Sequence, residues 1–125
     1  MNGFFACSDI NKFACNATSR TAQANKVSVD VINMDLLTAF RPNSVDLLIF
    51  NPPYVVTEPS ETLLNIPEHR KFYDKDAESV YGEEKMLIKS WAGGIDGCEI
   101  INRVIASLDT ILAHDGIFYL LIIKD

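Results

Sequence analysis

The chain has 125 residues, room for one domain and not two. Apolar residues make up 48% and charged residues 22%, the balance of a soluble globular protein. The formal net charge of −6, from 17 acids against 11 bases, speaks against a nucleic-acid binder with a broad basic face.

No apolar stretch reaches the roughly 18 residues a membrane span requires. The start, MNGFFACSD, turns polar too soon for a secretory signal. There are three cysteines, Cys7, Cys15 and Cys98, with no CxxC pair. An odd count without ligand spacing reads as reduced, mostly buried thiols in the cytoplasm or nucleus, and no metal site.

Taken in chain order, residues 3–8 (GFFACS) predict a short buried strand, ended by Asp9, which can cap the next element. Apolar residues at Ile10, Phe13, Ala14 and Ala17 then predict a helix face, fading near Asn25. Residues 26–33 (KVSVDVIN) alternate strictly and predict a strand with one less protected face or edge. Residues 45–50 (VDLLIF) are continuously apolar, as expected of a strand covered on both faces.

A long polar stretch over 57–90 reads as loop, with a short helix near 83–89. Asp96 then stands three residues before Glu99, the spacing of a capping box. Ile100, Ile101, Val104, Ile105, Leu108, Ile111 and Leu112 form the apolar face of the next helix. Gly116 opens a last buried strand, 117–123. The order β-α-β-β-loop-α-β implies an α/β fold with a largely parallel sheet.

Ligands of open parallel sheets sit at the carboxyl ends of the strands. Three such ends here carry Asp9, Asp35 and Asn51. The plainer reading is that Asp9 caps a helix and Asp35 turns the chain. The segment Asn51-Pro52-Pro53-Tyr54 is more specific. Both prolines lack an N–H, and the residue before each is kept out of the helical region. The corner is therefore stiff, extended and rich in acceptors, with the flat ring of Tyr54 beside it. It suits a planar group bearing NH2, an amide or a base amine. Gly93, Gly94 and Gly97 follow a polar loop rather than a strand, so they do not make a dinucleotide fingerprint. They read as a tight turn against the corner, with Trp91 packing it down. His69 and His114 lie in polar contexts that require no catalytic role.

FNPPYV after a buried strand, ACSDIN before a helix, and WAGGIDGCEIINRV together resemble the HemK-like N5-glutamine methyltransferases. The resemblance runs from Phe4 to Lys124 and points to the eukaryotic and archaeal branch that acts on class-1 translation release factors. It implies a Rossmann-like class I methyltransferase sheet, S-adenosylmethionine as cofactor, and residues 1–125 as a partial catalytic domain lacking the first strand and the last two. By resemblance, Asp9 holds the cofactor ribose, and Asp35 and Leu36 lie at the adenine. Asn51 faces cofactor and acceptor amide, Pro52 offers its carbonyl to the acceptor NH2, and Pro53 and Tyr54 complete the acceptor site. The Gly-rich loop that cradles the methionine half lies upstream of residue 1 in that pattern. The branch also works with a small zinc-binding activator subunit, added along the strand at 27–33. Other readings of the same residues are an adenine-N6 nucleic-acid methyltransferase, a lysine acceptor, and a non-catalytic relative that keeps the partner strand.

Overall fold

The computed structural model describes residues 3–57 and 89–122. The chain falls into two compact units, Met1–Arg41 and Pro42–Asp125. The expected loop over 57–90 and the helix near 83–89 fall almost wholly on residues 58–88, outside the described residues, as does His69.

The first unit is strand β1 (Ala6–Asp9), helix α1 (Lys12–Ala24) and strand β2 (Asp30–Asn33). β1 and β2 pair in parallel, Ala6 opposite Asp30 through Asp9 opposite Asn33. The expected cap at Asp9 is shifted by two residues. Asn11 is the N-cap, its side chain accepting from the Phe13 N–H at 2.9 Å. The Asp9 carboxylate instead accepts from the Asn11 N–H at 2.7 Å, so it holds the cap rather than acting as one.

The buried face of α1 also differs from the expected one. Phe13 is 54% exposed and Ala17 is exposed, while Asn11, Ala14, Cys15, Thr18 and Ala22 turn inward. Those positions are spaced as one helical stripe. Their side chains are small or short, which lets the helix lie close on the two strands; a Phe on that stripe would hold it off. The Cys15 thiol reaches the Asp9 carbonyl at 3.4 Å.

The strand expected over 27–33 is only Asp30–Asn33. The residues before it close the helix. Lys26 N–H donates to the Gln23 carbonyl at 3.1 Å and Val27 N–H to the Ala22 carbonyl at 2.9 Å, the paired bonds of a Schellman ending. Lys26 takes the left-handed conformation there, φ 54°.

The second unit begins with β3 (Val45–Phe50), at the bounds the apolar run predicts, followed by β4 (Val55–Val56), β5 (Ala92–Gly94) and a 3-10 turn (Ile95–Gly97). Helix α2 (Glu99–Ile105), helix α3 (Leu108–Ile111) and strand β6 (Leu112–Leu120) complete it. β3 pairs with β6 and β4 with β5, both in parallel. The parallel arrangement expected from element order thus holds for every strand pair among the described residues.

Four details depart from expectation. The single helix predicted after Glu99 is broken in two; Val104 and Ile111 are its buried residues, and Ile105 is 48% exposed. Cys98, not Asp96, is the N-cap of α2, and Asp96 lies inside the 3-10 turn at φ 59°. Glu99 still folds back, its carboxylate accepting from the Ile95 N–H at 3.3 Å. β6 starts four residues before Gly116, and a register shift sets Leu112 opposite Val45 but Ile117 opposite Leu47. A side chain at Gly116 would place its Cβ 2.8 Å from the Val45 carbonyl, so the irregularity closes only on glycine. Lastly, among the described residues β3 is not covered on both faces. Leu48 and Phe50 are half-buried with Phe118 and Leu120 opposite them, whereas Leu47 and Ile49, with Ile117 and Tyr119, are exposed.

Candidate functional site

The corner Asn51-Pro52-Pro53-Tyr54 leaves the carboxyl end of β3, as the sequence implies. Pro52 is buried, Pro53 half-buried, and the side chains at Asn51 and Tyr54 are exposed, Tyr54 by 47%. Two N–H groups are absent from the corner itself, so its position depends on what grips its ends. Upstream, the Phe50 carbonyl accepts from the Leu121 N–H at 2.9 Å. Downstream, Val55 N–H donates to the Trp91 carbonyl at 2.9 Å and Thr57 N–H to the Gly94 carbonyl at 3.1 Å. The Thr57 hydroxyl accepts from the Gly94 N–H at 3.0 Å in a buried setting.

The glycines do form a tight turn against the corner. Gly97 has φ 67°, and a Cβ there would run into the Tyr54 carbonyl oxygen. Trp91 contributes its backbone carbonyl to this brace, and its side chain is 39% exposed rather than an interior anchor. Sequence alone does not single out Thr57. It stands as a polar position just after a strand-like Val-Val pair, which identifies no partner thirty-seven residues away.

The first unit brings Asp9, Asp35 and Leu36 to one end of the β1–β2 pair. Asp9 ends β1 with its carboxylate exposed. Its carbonyl accepts from Met34 N–H at 3.1 Å and from Asn33 Nδ2 at 2.9 Å. Asn33 also donates to the Ile10 carbonyl at 3.0 Å, so one amide side chain clamps the strand end and the start of the helix approach. The chain then turns at Asp35, whose carbonyl accepts from Thr38 N–H at 3.2 Å. Leu36 takes φ 50°, unusual for a bulky residue, and its carbonyl accepts from the Ser8 hydroxyl at 3.0 Å. Asn33 and Ser8 are supporting residues that the alternating pattern alone does not mark. Asp9, Asp35 and Leu36 belong to one unit and Asn51, Pro52, Pro53 and Tyr54 to the other.

None of the three cysteines forms a disulfide. Cys15 is buried, but Cys7 and Cys98 are exposed, against the expectation of mostly buried thiols. His114 is solvent-exposed, 3.1 Å from the Asp115 carboxylate. Among the described residues no helix is long and apolar enough to cross a membrane.

Residues 3–68 match the methyltransferase small domain family. Human Methyltransferase HEMK2 is 36% identical over 124 residues, covering 97% of this chain and 49% of the relative. Mouse Methyltransferase HEMK2 is 33% identical over the same span and shares. The eRF1 methyltransferase catalytic subunit mtq2 of Schizosaccharomyces pombe is 33% identical over 121 residues, 90% of this chain and 45% of the relative. The chain spans about half the length of the curated relatives it matches.

Proposed function

The chain belongs to the methyltransferase small domain family, and from that premise we propose that it acts in S-adenosylmethionine-dependent methylation of a glutamine side-chain amide, in the Gly-Gly-Gln loop of a class-1 translation release factor. The observation that carries this reading is the corner after β3: two residues without N–H donors, between the exposed side chains of Asn51 and Tyr54, braced from behind by a glycine turn. The name of the S. pombe relative supports a release-factor acceptor.

An amide nitrogen is a weak nucleophile because its lone pair is delocalised into the carbonyl. The Asn51 side-chain oxygen and the Pro52 carbonyl accept its two hydrogens. That pairing fixes the nitrogen's orientation and stabilises positive charge growing on it. Pro53 keeps the carbonyl in place, and the Tyr54 ring offers an apolar face to the acceptor's side chain. Transfer would form the N–CH3 bond as the S–CH3 bond breaks, leaving the neutral thioether, and the surplus proton would pass from nitrogen to water, so the scheme needs no side-chain general base.

The residues of the first unit fit the nucleoside of the cofactor. An exposed carboxylate at the end of β1 can accept from ribose hydroxyls, and the half-buried turn of Asp35 and Leu36, two residues beyond β2, suits the adenine. Bound there, S-adenosylmethionine supplies an electrophilic methyl group. The free thiols suit the cytoplasm or nucleus.

A second subunit also belongs to this reading. The S. pombe relative is named a catalytic subunit, and β2 pairs with β1 alone among the described residues. A small zinc-binding activator would add its strand along 27–33, with the ladder at Asp30–Asn33 as its template.

Methyl transfer from labelled S-adenosylmethionine tests the proposal, with a Gly-Gly-Gln release factor, a lysine peptide and an adenine-containing oligonucleotide as competing acceptors. Transfer to the glutamine is expected, and Asn51→Ala should abolish it while the circular dichroism spectrum is kept. Unchanged turnover in that variant refutes the mechanism, and preference for the oligonucleotide replaces the substrate.

A further inference from the structure

We infer that Thr57 is a positioning residue for the amine-accepting corner, acting through a reciprocal clamp on Gly94. The inference deepens the proposed function and rests on it for the identity of the acceptor, but not for the geometry.

Thr57 is a polar residue only 2% exposed, unusual for a side chain three positions from a surface corner. It is joined to one residue twice over. Its N–H donates to the Gly94 carbonyl at 3.1 Å, and its hydroxyl accepts from the Gly94 N–H at 3.0 Å. A single residue therefore satisfies both backbone polar groups of Gly94, and no buried side-chain polar atom is left unpaired among the described residues.

The corner has a special need for such a clamp. Pro52 and Pro53 cannot donate, so two consecutive backbone positions contribute no N–H to a ladder. Their carbonyls must remain open if they are to receive an amine. What fixes them is the chain on either side. Upstream that is the β3–β6 pairing. Downstream it is a strand of two residues, Val55–Val56, both exposed and too short to hold register by itself. The register shift between Val55 and Val56 makes this strand weaker still. Thr57 closes it, and the same glycine turn brings Gly97 against the Tyr54 carbonyl. The hydroxyl at 57 thus sets where the turn sits, and the turn sets where the Tyr54 carbonyl and the corner sit.

A role in positioning is separable from a role in packing. Thr57→Val keeps the shape and removes the acceptor, while Thr57→Ser keeps the acceptor and removes a methyl. With the release factor as acceptor, Thr57→Val is expected to lower kcat by ~10–100-fold with KM little changed, because the acceptor binds but is misaligned. Thr57→Ser should restore kcat to near wild type. In parallel, amide resonances of Asn51 and Tyr54 should move in Thr57→Val and return in Thr57→Ser, and Gly94 N–H should be protected from hydrogen exchange in the wild-type chain. Wild-type kcat in Thr57→Val, or equal losses in the Val and Ser variants, overturns the inference. If neither this chain nor a version carrying the relatives' upstream segment transfers a methyl group, the proposed function fails, and the resonances alone decide the clamp. If Thr57→Val does not fold, rapid exchange of Gly94 N–H in the wild-type chain refutes the clamp and protection supports it.

Discussion

Replacing Gly97 by alanine puts the corner's support to a direct test. Two costs arise from the structure. Gly97 lies at φ 67°, where a Cβ costs about 1–2 kcal/mol. The new methyl would also overlap the Tyr54 carbonyl oxygen. A carbon and a carbonyl oxygen rest at about 3.3 Å or more, so one of the two must give by something near 1 Å. If the overlap is relieved only in part, it adds about 1–3 kcal/mol. The sum, about 2–5 kcal/mol, should lower Tm by roughly 3–5 °C per kcal/mol in a domain of this size. The displaced group is the carbonyl of Tyr54, so a 1 Å shift should also slow methyl transfer by ~100-fold in the molecules that remain folded. Thermal melts, the Tyr54 amide resonance and single-turnover methylation read the three effects separately. Gly3→Ala is the control, since its Cβ would meet only the Phe5 ring, at 3.4 Å. If Gly97→Ala melts with the wild type and leaves the Tyr54 resonance unmoved, the glycine turn does not support the corner.

Lys26→Gly should stabilise the chain by about 1 kcal/mol, because Lys26 occupies the left-handed position of a Schellman ending that glycine takes without steric cost; a urea midpoint no higher than wild type would contradict this. A thiol reagent should label Cys7 and Cys98 quickly and Cys15 only on unfolding, since the first two are exposed and the third is buried against the ends of β1 and β2; mass spectrometry of the native chain showing prompt labelling at Cys15 would overturn the packing of α1.

The amino-acid sequence determined the features whose cause is local. The bounds of β3 come from six continuous apolar residues. The stiffness of the corner comes from two prolines, whatever surrounds them. A helix between β1 and β2, parallel pairing and carboxylates at strand ends were legible from period and order. A tight turn at Gly93, Gly94 and Gly97 was legible from its glycines, and its expected place against the corner, some forty residues away in sequence, is where the structure sets Gly97.

The tertiary structure alone decided which of several compatible faces was used. The apolar spacing predicts Phe13 and Ala17 on the inward side of α1; the closeness of two strands selects Cys15 and other small residues instead. The alternation from 27 to 33 suits a longer strand, but Val27 is taken by the Ala22 carbonyl to end the helix. Asp96 has the spacing of a cap, yet the turn that carries it serves the corner instead, and the cap passes to Cys98. Thr57 gains its role from Gly94, thirty-seven residues away. Periodicity and donor count are properties of a short stretch of chain. The partner that satisfies a given donor or covers a given face is set by segments distant in sequence, and only the folded chain brings them within reach.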